Sequence, residues 1–181
     1  MPFGYYRRLS AAQRRVYRQS DEIQRLPLPD PLPLRLLAER LAEALLGEER
    51  KAVQRTAQAL LNGLVDQLKV PPLKVTVHAA RPRDHQGELH GLYTPGENAA
   101  PGHVAVWMRT AQRKEVVAFR TFLRTLLHEL CHHLDYELLK LPYTFHTEGF
   151  YKRESDLFHQ LWDKPARKKG AASAVPGERS R

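Results

Sequence analysis

The order of apolar and polar positions divides the chain into an initial helical part, a run of short strands, and two further helices. In residues 1 to 25, Leu9, Val16, Tyr17 and Ile23 alternate with Arg7, Arg8, Arg14, Arg15, Arg18 and Arg25. That spacing predicts a short basic amphipathic helix from about Ser10. The stretch Leu26-Pro27-Leu28-Pro29-Asp30-Pro31-Leu32-Pro33 predicts an extended, stiff connector, because closely spaced prolines cannot continue a helix. From Leu34 the apolar positions recur at three and four residues: Leu34, Leu37, Ala38, Leu41, Ala44 and Leu45, with Gly47 as the stop. A second stripe runs through Val53, Ala57, Leu60, Leu61, Leu64 and Leu68 until Pro71-Pro72.

The period then becomes two. Leu73, Val75 and Val77 alternate with Lys74, Thr76 and His78, which reads as a strand. Residues 88 to 94 and 103 to 108 read as two more, with Gly96 and Gly102 marking a hairpin between them. A long helix is predicted from about Glu115 to Lys140, stopped by Pro142, and a last one from Gly149 to Trp162. Helices, three strands, a long helix and a final helix describe an α+β domain. The division expected is a basic segment and connector at 1–33, a folded domain at 34–163, and a disordered basic tail at 164–181.

Composition narrows this picture. With 181 residues and 42% hydrophobic content the chain can bury a core as one domain. No apolar run is long enough to span a bilayer, and no secretory-type apolar segment precedes the domain. A cytoplasmic location, with no membrane partner, is the default expectation. The single cysteine, Cys131, excludes an intramolecular disulfide and a cysteine-only zinc site; it reads as a small buried apolar residue. A formal charge of +9 makes the basic ends a candidate electrostatic surface for nucleic acid, against the simpler reading of solvated tails.

The segment that carries chemistry is His128-Glu129-Leu130-Cys131-His132, the pattern H-E-x-x-H. Residues four apart lie one turn apart on the same helix face, so both imidazoles can bind one ion; the intervening glutamate reaches a metal-activated water. With nine histidines in the chain, random placement gives about 0.03 matches. Placed around a helix, Leu123, Leu127, Leu130, Leu134 and Leu138 form one side. Thr121, Arg124, Thr125, His128, His132 and Asp135 form another.

A catalytic zinc takes three protein ligands. The extended motif fails, because its third-ligand position is Leu138. His146 is preferred, since imidazole suits zinc; Glu154 is the main rival and Glu148 a weaker one. Asp135 is placed to accept the free N–H of a ligand histidine. Tyr136 and Tyr143 are candidate oxyanion donors, and Arg109, Arg113, Arg120 and Arg124 candidate anion binders, Arg124 first. His133 points away from the ion and reads as structural, and His78, His85, His90, His103 and His159 receive no role.

His128-Glu129-x-x-His132 followed by His146-x-x-x-Phe150 resembles the SprT-like zincin metalloproteases. Gly91-Leu92-Tyr93 ahead of Val104-Ala105-Val106 is similar to their sheet, and the resemblance covers about 73–161. It implies a small zincin-like fold, zinc held by His128, His132 and His146, and Glu129 as catalytic base. It also implies a strand that holds a protein or peptide substrate in extended form. The lone cysteine leaves no C-terminal cysteine zinc ribbon such as many of these proteins carry. The DNA-targeting elements of the crosslink proteases in this clan are not identifiable. The expected function is therefore zinc-dependent peptide hydrolysis. The alternatives are a hydrolase of nucleotides or phosphoesters on the same metal, and a non-catalytic nucleic-acid-binding module with structural zinc.

Overall fold

A computed structural model describes residues 3–84, 87–98 and 100–162. The expected tail at 164–181 and His85 lie outside them. After a 3₁₀ turn at Gly4–Arg8, helix α1 spans Ala11–Glu22. Ser10 caps it, its hydroxyl accepting from the Gln13 N–H while the Gln13 side chain accepts from the Ser10 N–H.

The chain from Leu26 to Pro29 is extended, as the prolines require, but it is packed rather than free. Leu26 and Leu28 are buried, and their backbone N–H groups donate to Asp156 and Gln160. Helix α2, Pro31–Leu46, begins inside the proline run instead of at Leu34. Asp30 is its N-cap, and the missing N–H groups of Pro31 and Pro33 fall in the first turn, where none is needed. The boundary expected at residue 33 therefore cuts through the start of a helix.

Helix α3, Arg50–Leu68, follows Gly47. Gly63 lets α2 approach it, since a Cβ there would lie 2.5 Å from Leu34. Strand β1, Leu73–Ala80, pairs in parallel with β5, Gly102–Arg109, and β5 pairs antiparallel with β4, Gly91–Thr94. A small pair of strands, β2, Arg83–Asp84, and β3, Gly87–Glu88, precedes β4 and takes up Glu88, the first residue of the expected second strand.

The sheet order β1-β5-β4 leaves two edges, and they are treated differently. Gln54 and Gln58, one turn apart on α3, accept from the backbone N–H groups of Val77 and Val75 and donate to the carbonyls of Val75 and Leu73. The β1 edge is thus covered by side-chain amides. The β4 edge lies beside α4.

Helix α4 spans Phe119–Glu137 and α5 Glu148–Trp162. The former starts later than expected because residues 110–117 turn back onto β5, where the Val117 N–H donates to Met108. Helix α4 packs on β4 and β5, α3 lies along β1, and α2 runs between α3 and α5. The leucine stripe of α4 enters the core, with Leu123, Leu127, Leu130 and Leu134 fully buried. No helix among the described residues is long and apolar enough to cross a membrane.

Candidate metal centre

Helical spacing brings His128 and His132 to one face of α4, and the loop after Leu141 returns His146 over them. The Nε2 atoms of His128 and His146 lie 3.0 Å apart, and those of His146 and His132 3.1 Å. All three ligand atoms fall within 4.8 Å of one another.

Their tautomers follow from the outer partners. His128 Nδ1 lies 3.1 Å from Glu154 Oε2, a carboxylate that can only accept, so Nδ1 carries the proton. His132 Nδ1 lies 2.7 Å from Thr144 Oγ1, whose own hydrogen goes to Asp135 Oδ2 at 2.8 Å. Thr144 therefore accepts from His132, and Nδ1 again carries the proton. Both Nε2 lone pairs face His146.

Three imidazole nitrogens converging in this way are arranged as the donors of a shared cation would be. A tetrahedron of zinc–nitrogen bonds of about 2.0–2.1 Å has edges of about 3.3 Å, close to the two short separations. The donor set fits zinc. Burial lowers the pKa of His132 to about 3 and also lowers that of His146, with the neighbouring histidines adding to both shifts. These rings stay neutral, as ligation requires.

Of the rivals for third ligand, Glu154 binds the back of His128 and the Arg124 guanidinium instead of joining the cluster. Glu148 is exposed and pairs with Lys152. Asp135 does not contact a histidine directly. It lies buried beneath the helix, paired with Arg153 at 2.7 Å, and reaches His132 only through Thr144. The contact expected with a ligand histidine is made through Thr144, and α5 covers that part of α4.

Glu129 is 6% exposed, and burial raises its pKa to about 7 against the opposing pull of His128. The backbone N–H of Tyr93 hydrogen-bonds it. Gly91 leaves room for its carboxylate: a Cβ on Gly91 would collide with Glu129 Oε1 and lie 2.8 Å from Thr125 Cγ2.

Two cavities meet at this point. One, of about 330 Å³, is lined by His90, Arg124, Thr125 and Glu154; the other, of about 320 Å³, by Leu92, Tyr93, Pro95, Tyr136 and His146. Gly91, His128 and Glu129 border both.

The remaining candidates separate clearly. Tyr136 lines the second cavity, whereas Tyr143 lines neither. Arg124 reaches the first, held over the Phe158 ring and paired with Glu154 at 3.2 Å; Arg109 is taken by Glu48, and neither it, Arg113 nor Arg120 lines either of these two cavities. His133 is structural: its Nε2–H donates to Pro71 O and its Nδ1 accepts from Tyr93 Oη. Cys131 is fully buried, and burial pushes its thiol pKa well up.

Thr144, Arg153 and Tyr5 were missed from the sequence. Tyr5 donates to the backbone carbonyl of His146 at 2.9 Å. None carried a local signal, since each acts on a residue distant in the chain.

Compared with family models, with curated proteins and with solved structures, the chain matches none.

Proposed function

We propose that this chain is a zinc-dependent metallopeptidase with a zincin-like fold, similar to the SprT-like proteases. The observation that carries the reading is the convergence of three imidazole nitrogens beside a buried carboxylate of raised pKa.

His128, His132 and His146 would hold the ion. Bound zinc supplies a Lewis acid, which makes water nucleophilic near neutral pH and polarises a carbonyl. Glu129 accepts the proton of the attacking water and passes it to the amine nitrogen as the peptide bond breaks. The β4 edge supports the substrate class. The ladder alternates, so Gly91 turns its backbone groups to the same outer side as the Tyr93 N–H that reaches Glu129. An extended peptide added there passes the metal centre. A single buried thiol agrees with a reducing, cytoplasmic setting.

A phosphoester or nucleotide substrate is the second reading, and Arg124 is its support. The Glu154 carboxylate already balances that charge, which places peptide hydrolysis first. A purely structural zinc in a nucleic-acid-binding module would give Glu129 no task.

The test is metal analysis together with turnover of unstructured peptides and of nucleotides side by side. Glu129→Gln is expected to retain zinc and lose about 10²–10⁴-fold in peptide hydrolysis. His128→Ala is expected to lose both. A wild-type protein that takes up no zinc, or that turns over nucleotides but not peptides, overturns the proposal.

A further inference from the structure

The two helix histidines are oriented in different ways. His128 donates directly to a carboxylate, Glu154. His132 donates to the Thr144 hydroxyl, which donates to Asp135, which accepts from Arg153. We propose that Thr144, Asp135 and Arg153 form a positioning relay that fixes the tautomer and ring of His132 and joins the metal centre to the N-terminal helix.

The proposal rests on the metal reading above, and its geometry is closed at every link. The hydroxyl has one hydrogen. By giving it to Asp135, Thr144 can only accept from His132, which leaves His132 Nε2 bare and aimed at the cluster. Asp135 holds that hydrogen because its other oxygen is fixed by a guanidinium with no exposure. Arg153 is fixed in turn: one terminal nitrogen donates to the carbonyls of Ser20 and Ile23, and the other to Ser20 Oγ as well as to Asp135.

Three elements therefore meet behind one ligand: the loop carrying Thr144, helix α5, and the end of α1. Helix α1 approaches the third ligand by a second route. Gly149 packs on Ser20 and Asp21 where a Cβ would meet their carbonyls at 2.5–2.6 Å, and its N–H donates to Asp21. An outer partner of a metal-bound histidine sets its basicity and direction, and losing one costs about 10- to 100-fold in metal affinity.

The test uses the full chain and zinc alone. In the metal-free protein, nitrogen NMR of the His132 ring is expected to show the proton on Nδ1. Thr144→Val keeps the shape and removes the hydroxyl; it is expected to weaken zinc binding about 10- to 100-fold by chelator competition and to abolish the single-tautomer signal. Thr144→Ser restores the hydroxyl and is expected to return both to wild-type values.

A Thr144→Val protein that binds zinc as tightly as wild type overturns the relay. So does a wild-type His132 protonated on Nε2, a measurement that stands even where the valine variant does not fold. Failure of wild type to bind zinc overturns the metal reading itself, while the tautomer of His132 still decides the relay.

Discussion

Glu129 shows how a single side chain reports its surroundings. Its carboxyl is raised from an ordinary 4.5 to about 7, chiefly by burial. A carboxyl raised in the folded state favours folding below its unfolded pKa, and that contribution is lost as pH rises through the folded value. The window here is pH 4.5 to 7. Wild-type protein without metal is expected to lose up to about 3 kcal/mol across it relative to Glu129→Gln. Denaturant melts of the two proteins at pH 4.5, 6 and 8 check this, and parallel pH profiles would refute it. His128, His132 and Glu129 were legible in the sequence because their relation is set by one helical turn. Asp135 shared that spacing, yet its partners come from residues 144 and 153, which helical periodicity alone does not place.

Between elements, the contact that matters is β4 against α4. The strand itself was legible only in outline. Its apolar alternation is weak, and of the residues expected to open it Glu88 falls in the short hairpin before it and Leu89 and His90 in no strand. Gly91 has the clearest role: it permits the strand to lie on Glu129 and Thr125. Gly91→Ala is expected to keep zinc and overall secondary structure while lowering hydrolysis at least about tenfold, because a displacement near 1 Å at a reacting group is costly. Metal analysis, circular dichroism and kinetics on one preparation separate these effects; unchanged turnover would refute the role. The proline run taught a related point. Proline forbids a helix interior, but it suits a first turn, so the rule used to exclude α2 from residues 31–33 applied to the wrong part of a helix.

At the scale of the molecule, the N-terminal stretch is packed against α5. The basic residues near the start suggested a separate segment, but the buried side of the same stretch decides its place. Val16, Tyr17 and Ser20 are buried, and Arg153 is enclosed by the carbonyls of Ser20 and Ile23. No periodicity shows a contact made across 133 residues. Arg153→Met strands the Asp135 carboxylate in the interior and is expected to cost about 3–5 kcal/mol. Replacing both partners, as Arg153→Met with Asp135→Leu, is expected to recover a substantial part of that loss. Thermal or denaturant unfolding of the two variants checks it; additive losses would show that the pair is not coupled.

That same enclosure dictates an order of events during synthesis. The H-E-x-x-H helix leaves the ribosome before His146 and Arg153, while Ser20 has waited since the beginning. His146 follows only with the loop ahead of α5, and the guanidinium that orders Asp135 only with α5 itself. A nascent chain stopped after residue 140 carries two unsupported histidines, and the three-histidine cluster is completed only by the segment that follows.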